Sequence, residues 1–408
     1  HHHATPGTMN EAELQVRKLI ARALLSEGRT LLDDMADTGE DMDRLAPAVA
    51  MLQAGEHIPF PAGLAPIPEE IDPKPSPGAA MPQADVLVVT WTVAELDGLC
   101  AVLTPGFARV NWYRYSRNYI THYDQLIREG APSKRFKILG SYFVTRIGDK
   151  KVVCFKSELH LNQDGIDLPA TPGIATLPVK DLFEQLIAET GAGHVITVGT
   201  AGGIDQRHDL GDVLLTRGAQ FRLQDEFKNA PYKNQGYASD WEVPTTHFAK
   251  AEELMGIFAK RLKEPDFGPP TKRYGFTGTL LKAKENKPSI IHEKGTTPAT
   301  TIPAAHPILT TDFFEFGTSA NAQELLPLGC GLEMGDAVLG MVADAMTDPP
   351  KWLVIRNVSD PQINGDLPTG PGRGLNMQTH WAVWYYETYG YATSFNSALA
   401  TWAVIAGL

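Results

Sequence analysis

The chain has 408 residues, of which 43% are hydrophobic and 21% charged, and its formal net charge is −12. This composition is that of a soluble globular protein with room for one large domain and a smaller one. The acidic balance argues against non-specific binding to nucleic acid or to an anionic membrane surface. No apolar run reaches the roughly 18–20 residues that span a bilayer. Three distant cysteines, Cys100, Cys154 and Cys330, offer neither a disulfide framework nor a zinc site, and they fit a cytoplasmic location.

The first 84 residues predict three segments. Residues 1–8 are typical of an expression-tag remnant that precedes Met9. Apolar residues at helical spacing predict a helical hairpin over 9–57, which needs the main domain or a partner subunit to bury its apolar face. Eight prolines between Pro59 and Pro82 predict an extended linker over 58–84, because proline sustains neither a helix nor a central strand.

From residue 85 the pattern alternates between strands and helices and predicts one domain over 85–408. Short β-branched runs indicate buried strands, and amphipathic or aromatic runs indicate helices. A polar stretch over 223–300, rich in Lys, Gly and Pro, indicates an insertion or a flap over the site. The strands are expected at 86–89, 143–147, 152–156, from 195, at 213–218 and at 353–358, and the helices at 94–103, 180–190, near 248–263 and from 377 onward.

The segment Val195-Ile-Thr-Val-Gly-Thr-Ala-Gly-Gly-Ile204 is the most informative part of this pattern. Its β-branched residues predict a buried parallel strand, and its glycines predict a turn at which the backbone approaches a ligand closely. The carboxyl ends of strands are where open α/β sheets bind their substrates. A tight turn in any α/β protein would have the same pattern, so this segment alone does not define a site.

Three further segments follow the same logic, in a fixed order with the first. They are Thr90-Trp-Thr-Val-Ala-Glu95, Leu332-Glu-Met-Gly-Asp336 and Arg356-Asn-Val-Ser-Asp360. A shorter stretch, Thr311-Asp-Phe-Phe314, lies before Leu332 and looks like the end of a strand that contacts the base. Together the segments resemble the purine nucleoside phosphorylase and nucleosidase superfamily over roughly 85–408. Their pattern is most similar to that of the methylthioadenosine/S-adenosylhomocysteine-type nucleosidases.

The resemblance implies a three-layer α/β/α domain with a mixed, partly closed central sheet, preceded here by a small N-terminal helical segment. It also implies N-glycosidic bond chemistry on a purine nucleoside or nucleotide, without a cofactor. Members of the superfamily are usually oligomers because neighbouring subunits complete or cover the site. We therefore expect a homo-oligomer, a dimer or larger, with a small-molecule nucleoside as its ligand.

Two carboxyl groups carry the expected chemistry. Breaking the C–N bond gives an oxocarbenium-like sugar and an anionic base, so the reaction needs an acid at the base. By resemblance, Asp360 donates that proton to N7 of a purine, and Glu95 orients and deprotonates the attacking water. Each residue also has a structural explanation, because Asp360 lies in a Ser-Asp-Pro turn and Glu95 lies in the first turn of a helix.

The resemblance also assigns substrate contacts. Phe314 stacks on the base, Met334 packs beneath the sugar, and the Thr200 hydroxyl touches the nucleophile or the sugar, although each type of residue is common in ordinary cores and turns. The remaining residues expected to bind substrate are Ala201, Gly202, Glu333, Asp336 and Ser359. His160 is a candidate contact for a 5′ substituent or phosphate, with a surface histidine as the alternative.

One departure from the family pattern concerns the sugar. The usual Glu-Met-Glu places its second glutamate on the ribose hydroxyls, but here that position is Gly335. A charge-assisted hydrogen bond of this kind contributes roughly 1.5–3 kcal/mol, which is enough to change which sugar binds. Either Asp336 or Glu333 substitutes for the missing carboxylate, or the enzyme accepts an altered sugar.

The sequence favours water over phosphate as the nucleophile. A phosphate dianion requires arginines and an anion nest. Hexameric phosphorylases carry one arginine in the segment after the first strand and another just before the glycine turn. Here the segment at 90–95 contains no arginine, and Thr197 occupies the position before the glycine turn. The sequence therefore predicts hydrolysis of an adenine-type nucleoside or nucleotide. Phosphorolysis, with a cation from the segment that contains Arg109, Arg114 and Arg117, is one alternative, and a non-catalytic nucleoside-binding regulatory protein is another. No metal-ligand cluster is present in the sequence pattern.

Overall fold

A computed structural model of the chain describes residues 57–162, 164–262, 287–318, 321–362 and 377–408. The helical hairpin expected over 9–57 lies outside the described residues except for its last residue, and so does the middle of the 223–300 region.

The described residues form a mixed sheet of 13 strands. The strands are β1 (Ile67–Glu69), β2 (Val86–Thr90), β3 (Tyr113–Tyr115), β4 (Gly140–Ile147), β5 (Lys150–Ser157), β6 (His194–Gly203), β7 (Val213–Thr216), β8 (Gly218–Arg222), β9 (Gly236–Ala238), β10 (Ile290–Ile291), β11 (Ile308–Thr311), β12 (Gly331–Glu333) and β13 (Lys351–Asp360). The helices are α1 (Val93–Leu103), α2 (Pro132–Phe136), α3 (Pro178–Thr190), α4 (Phe248–Ile257), α5 (Ala322–Leu325), α6 (Asp336–Asp344) and α7 (Met377–Ala406).

Strand β6 is the centre of the sheet. It runs parallel to β2 on one side and to β13 on the other, and its apolar side chains are buried along its length. A strand covered on both faces needs such a continuous apolar run, which is why the sequence signal for β6 was strong. The pairing partner of β6 changes at its carboxyl end. Gly202 and Gly203 pair with the antiparallel strand β12 and no longer with β2.

The sheet closes partly on itself around this strand. Strands β7 and β8 are separated only by Arg217, and they pair with β13 and β11, respectively. Because β11 pairs with β12, and β12 pairs with the end of β6, the strands β6, β13, β7–β8, β11 and β12 form a ring. Closure of this kind brings the carboxyl ends of β6, β12 and β13 close together.

Helices cover the sheet on both sides. Helices α1 and α4 contact α7, which packs on β6 and β13. A second group consists of α3 and α6, and α6 packs on β8, β9 and β11. The prediction of three α/β/α layers around a mixed, partly closed sheet is confirmed. None of the described helices combines the length and the apolarity that a membrane crossing requires. All three cysteines are free and buried.

The proline-rich residues 58–84 lie against the domain. Within them β1 pairs with β4 at the edge of the sheet, where a proline such as Pro68 is tolerated because it need not donate to a neighbouring strand. The indole nitrogen of Trp402 in α7 donates a hydrogen bond of 2.7 Å to the carbonyl of Leu64. The ring of Phe60 packs on the same indole at a centroid distance of 4.8 Å. The segment expected to be a linker therefore contributes a strand and an aromatic contact.

The described parts of the 223–300 region are also joined to the domain. They contain β9, α4 and β10, and they bury Phe227 and Trp241. The start of the region is fixed by Asp312, which follows β11 and whose carboxylate accepts hydrogen bonds from the backbone N–H groups of Gln224, Asp225 and Phe227. These contacts make the start of the region a structural part of the sheet edge.

We predict that Trp402→Phe loosens residues 57–84 selectively. The phenyl ring keeps the apolar packing but leaves the Leu64 carbonyl without its donor, which lowers the free energy of unfolding by about 1–2 kcal/mol. Limited proteolysis and hydrogen exchange should show faster cleavage and exchange in this segment. The buried Val342→Ala in α6 serves as the matched control, because it destabilises the domain without touching the segment. Equal opening of the segment in both variants would contradict the prediction.

Candidate active site

A cavity opens where the carboxyl ends of β2, β6, β12 and β13 meet. The space between these strand ends is about 790 Å³, open solvent at its mouth included. The residues that line it are Trp91, Thr92, Glu95, His160, Thr200, Ala201, Gly202, Thr311, Phe314, Glu315, Leu332, Glu333, Met334, Gly335, Arg356, Ser359, Asp360 and Tyr386.

The cavity brings together nearly all the residues that the sequence singled out. Those that line it are Glu95, His160, Thr200, Ala201, Gly202, Phe314, Glu333, Met334, Ser359 and Asp360. Asp336 is fully buried behind the lining, where it binds Arg356. The alternative cations Arg109, Arg114 and Arg117 are not among the described lining residues; Arg109 lies beside Asp97, and Arg117 pairs with Glu189.

Glu95 is held in place by the start of helix α1. Thr92 is the N-cap of this helix, and Glu95 returns the contact by accepting hydrogen bonds on Oε1 from the N–H groups of Thr92 (2.8 Å) and Trp91 (3.1 Å). This reciprocal arrangement is a capping box. Glu95 does lie in the first turn of α1, but it is buried and not the solvated glutamate of the structural alternative. The same contacts also aim the other carboxylate oxygen at the cavity.

The second oxygen of Glu95 meets β6 and β13. Oε2 accepts hydrogen bonds from the N–H (2.7 Å) and the hydroxyl (3.0 Å) of Thr200, and from Nη1 of Arg356 (3.2 Å). Burial alone would raise the pKa of Glu95, but Arg356 and the backbone donors of Thr200, Thr92 and Trp91 together lower it below its ordinary value of 4.5. Glu95 is thus a buried carboxylate that stays ionised at neutral pH.

Gly199 gives this carboxylate its space. A Cβ atom at this position would lie 2.1 Å from Oε2 of Glu95 and 2.7 Å from Nη1 of Arg356. Both distances are far below van der Waals contact, so no side chain fits while the Glu95–Arg356 pair is in place. The glycine in Val198-Gly-Thr is required for close packing of a charged pair against β6.

Arg356 in β13 lies at the centre of a buried charge cluster. Its Nε and Nη2 make two parallel hydrogen bonds to Asp336 (2.9 and 2.7 Å), and Nη2 lies 3.3 Å from Oε1 of Glu333. Nη1 donates to Glu95 and to the carbonyl oxygen of Thr200. Burial alone would lower the pKa of Arg356, but Asp336 and Glu333 raise it further above its ordinary value, so the guanidinium is permanently charged.

The role of Arg356 was missed from the sequence, although its segment was recognised. Arginine is almost never fully buried unless it is paired, and Arg356 directly follows the buried apolar residues 352–355 of β13. A charged residue next to such a run was the available signal that a buried carboxylate partner exists elsewhere in the chain.

Glu333 is committed to the turn between β12 and α6. Its carboxylate accepts hydrogen bonds from the N–H groups of Gly335 and Asp336, and from the hydroxyl of Thr310. Burial, together with the negative charge of Asp336, raises the pKa of Glu333 to about 8.

Asp360, at the end of β13, is in a different environment. The register between β13 and β6 shifts between Val358 and Asp360, and such bulges re-aim side chains next to active sites. The Ser359 hydroxyl donates a hydrogen bond of 3.0 Å to Oδ1 of Asp360. Gly202 leaves room beside the carboxyl group, since a Cβ there would lie 3.2 Å from Oδ2. Burial raises the pKa of Asp360 well above its ordinary range, and the Ser359 bond offsets this only in part.

The cavity thus holds two carboxyl groups with opposite protonation states. Glu95 has a lowered pKa and carries a negative charge, whereas Asp360 has a raised pKa and carries a proton. Environments that separate the pKa values of two neighbouring acids are the usual way in which a site obtains one anion and one proton donor at the same pH.

An apolar wall faces these groups at Trp91 and Gly335. A Cβ at Gly335 would lie 3.3 Å from Cζ2 of Trp91, so the indole takes the space beside the glycine. The indole N–H donates to the carbonyl of Leu159 (3.0 Å), and the guanidinium of Arg356 lies 5.2 Å from the ring centroid. Phe314 and Met334 add further apolar surface to the cavity. Trp91 belonged to a recognised segment, but sequence reasoning gave it no role.

Comparisons with known proteins are limited to the fold. No family model matches the chain, and no curated protein matches it. A 5′-methylthioadenosine/S-adenosylhomocysteine nucleosidase from Neisseria meningitidis, in complex with methylthio-immucillin-A, is 15% identical and covers 79% of this chain and 99% of its own, with a TM-score of 0.43. A nucleosidase of the same kind from Colwellia psychrerythraea 34H, in complex with adenine, is 13% identical and covers 81% of this chain and 98% of its own, with a TM-score of 0.43.

Futalosine hydrolase of Helicobacter pylori strain 26695 is 10% identical and covers 78% of this chain and 96% of its own, with a TM-score of 0.39. These solved structures are nucleosidases, the class that the sequence segments resemble. At such low identities and TM-scores they carry no argument about what this chain does, which has to rest on the site itself. The described residues include no cluster of three or more His, Cys, Asp or Glu side chains arranged to hold a metal ion.

We predict that Gly199→Ala disrupts the Glu95–Arg356 pair. The methyl group cannot share space with Oε2 of Glu95, so the buried charges move apart and the free energy of unfolding falls by about 2–5 kcal/mol. Gly193→Ala, immediately before the same strand, is the matched control, because nothing lies within 4 Å of a Cβ placed there. Denaturant unfolding of both variants tests the prediction, and similar stabilities would contradict it.

We also predict that Asp360→Asn stabilises the protein, and increasingly so at higher pH. The folded-state pKa of Asp360 is raised, so the stability that it contributes is fully present below its unfolded value of about 3.8 and is lost as pH rises through the folded value. The neutral amide removes this loss. Denaturation at pH 5 and pH 8 should show a larger gain at pH 8, whereas the exposed control Asp149→Asn should show no such trend. A gain that does not grow with pH would contradict a buried, proton-bearing Asp360.

Proposed function

We propose that this chain is a nucleosidase that hydrolyses the N-glycosidic bond of a purine, adenine-type nucleoside or nucleotide. The observation that carries the proposal is the pair of buried carboxyl groups in one cavity, with the pKa of Glu95 lowered and that of Asp360 raised. Cleavage of a glycosidic bond needs a proton donor at the leaving group and an anion near the sugar carbon, and these are the two states that the environments favour.

Asp360 is the general acid in this mechanism. The electron pair of the C1′–N bond passes to the base, and the Asp360 proton neutralises the nitrogen that would otherwise become anionic. Ser359 keeps the carboxyl group oriented by its hydrogen bond to Oδ1. Phe314 offers an apolar ring on which a flat base can stack.

Glu95 acts as a fixed negative charge beside the sugar carbon. Its lowered pKa makes it a weak base, but an oxocarbenium-like transition state needs an oriented water and an opposite charge more than a strong base. The water attacks C1′ through its oxygen, and its proton passes to Glu95 as the C–O bond forms. Thr200 supports this arrangement, because its N–H and hydroxyl hold the same carboxylate oxygen.

The hydrogen bonds and ion pairs that Arg356 already makes support water rather than phosphate as the nucleophile. Hydrogen bonds or ion pairs to Asp336, Glu95, Glu333 and the Thr200 carbonyl occupy the N–H groups of its guanidinium. A phosphate dianion would have to displace carboxylates that are themselves buried, which is costly. Water requires no such exchange.

The proposal includes the expectations that the sequence raised about the setting of the enzyme. Its ligand is a small-molecule nucleoside or nucleotide, and the chain works without a cofactor as a cytoplasmic homo-oligomer. The cavity that opens at the ends of the strands is the feature that a neighbouring subunit would cover in such an assembly.

The direct test uses a panel of purine nucleosides and nucleotides, with and without phosphate, and identifies products by mass spectrometry. We expect free base and free sugar in phosphate-free buffer. Glu95→Gln and Asp360→Asn should each lower kcat/KM by about 10²–10⁴ because each removes one acid–base partner. Thermal unfolding checks that both variants fold, and Gly193→Ala is the active control. A sugar 1-phosphate formed only with phosphate would replace hydrolysis by phosphorolysis, and tight binding without turnover would support a binding protein.

The pH dependence of kcat/KM provides a second test. Activity requires an ionised Glu95 and a protonated Asp360, so it should be constant across neutral pH. It should fall below about pH 4.5, as Glu95 becomes protonated, and again on the alkaline side, as Asp360 loses its proton. A profile that rises steadily from pH 5 to pH 9 would contradict the assignment of Asp360 as the acid.

A further inference from the structure

His160 presents an unsatisfied nitrogen at the cavity. The residue is only 5% exposed and lines the cavity, and its Nε2 has no hydrogen-bond partner among the described residues. A buried polar atom left without a partner is costly, so such atoms are normally satisfied by protein, water or a ligand. An unsatisfied nitrogen in a cavity wall therefore indicates a ligand contact.

The orientation of this ring is fixed by Asp164. Nδ1 of His160 lies 3.0 Å from Oδ2 of Asp164, which also accepts the backbone N–H of His160 at 2.8 Å. The Ser133 hydroxyl donates to the other oxygen of Asp164 at 3.0 Å. A carboxylate only accepts hydrogen bonds, so a ring hydrogen lies on Nδ1, and in this tautomer Nε2 is the ring nitrogen that can accept. The pair is a prepared acceptor for one donor group.

Two ends of the cavity can be distinguished along β13. Asp360, which acts on the base in the proposed mechanism, is four residues beyond Arg356, about 13 Å along an extended strand. Trp91 lies at the Arg356 end, and its indole N–H binds the carbonyl of Leu159, the residue before His160. His160 therefore belongs to the end of the cavity that faces Glu95 and Arg356, where the sugar would lie.

The other polar side chains at this end already have hydrogen-bond partners within the protein. Glu95 and Arg356 bind each other and Thr200, Glu333 accepts from its own turn, and the indole N–H of Trp91 is bound to a carbonyl. Gly335 contributes no side chain. Among the described side chains that line the cavity, His160 is the one with a buried polar atom that has no hydrogen-bond partner in the protein.

We propose that His160 determines sugar specificity by accepting, on Nε2, a hydrogen bond from one hydroxyl group of the sugar, with Asp164 as its positioning residue. This inference rests on the proposed nucleosidase function. A hydroxyl fits this acceptor better than a phosphate does. A phosphate would need a second ring hydrogen, on Nε2, in addition to the Nδ1 hydrogen that is donated to Asp164. The proposal extends the earlier expectation for His160 by naming the donor group.

The test compares a purine nucleoside with its 2′-, 3′- and 5′-deoxy analogues on the wild type and on His160→Phe. For the parent nucleoside, loss of the acceptor should lower kcat/KM by roughly 10–100-fold. For the one analogue that lacks the contacted hydroxyl, His160→Phe should change kcat/KM less than about threefold, because the bond is already absent. His160→Gln, which keeps an acceptor oxygen, should restore part of the discrimination.

His208→Phe is the matched control. His208 is equally buried, also has a ring nitrogen without a described partner, and lines a different cavity. Its substitution should leave the order of preference among the sugars unchanged. Equal losses for the parent and all three analogues in His160→Phe would overturn the proposal, and so would a loss confined to 5′-phosphorylated substrates.

Calorimetric binding of the same four compounds to Asp360→Asn and to the double variant Asp360→Asn/His160→Phe separates this proposal from the proposed function. If the wild type hydrolyses no nucleoside but binding shows the same hydroxyl-specific loss, the enzyme assignment fails and the His160 contact stands. If the wild type is active but neither kinetics nor binding distinguishes the sugars through His160, the contact fails alone.

Discussion

The site depends on one buried guanidinium. Arg356 holds Glu95, Asp336 and Glu333 around it, and these partners come from the start of α1 and from the turn between β12 and α6. Removing the cation would leave buried carboxylates unpaired, at a cost of about 3–5 kcal/mol for a broken buried pair. The recognised segments are distant in sequence, and this cluster joins three of them. Closure of the sheet around β6 brings them close enough to meet.

The two acids at this sheet edge have environments that shift their pKa values in opposite directions. Glu95 is surrounded by donors and a cation, whereas Asp360 has the Ser359 hydroxyl and otherwise a buried environment. Neutralising Asp360 would favour the folded state, so its retention is explained by function rather than by stability. Burial alone raises the pKa of both groups, and Arg356, together with the backbone donors of Thr200, Thr92 and Trp91, lowers that of Glu95. Acid and anion are thus assigned by the cation and the donors that surround one group and not the other.

Much of this arrangement could be predicted from the sequence, where local patterns are strong. The central strands β2, β6 and β13 contain continuous buried apolar residues, and the site residues lie at or just beyond their carboxyl ends. The short strands β9, β10 and β12 have 2–3 residues each and could not be predicted, because their pairing is decided by tertiary contacts. The packing of residues 58–84 on Trp402 was missed for the same reason, since proline content describes local stiffness only. The role of Arg356 could not be predicted because its partners are distant in sequence. Glu95 lies more than 250 positions away and Asp336 lies 20 positions away.

Gly335 and Trp91 are best understood as one feature of the sugar end. A side chain at position 335 would contact the indole 3.3 Å away, so the ring and the glycine fit each other. A glutamate there would also add a fourth acid around one guanidinium, in a cluster where burial and Asp336 already raise the pKa of Glu333. Recognition of a hydroxyl without a further carboxylate then requires an acceptor at a different place on the wall. His160, oriented by Asp164, meets that requirement without disturbing the charge balance on which Glu95 depends.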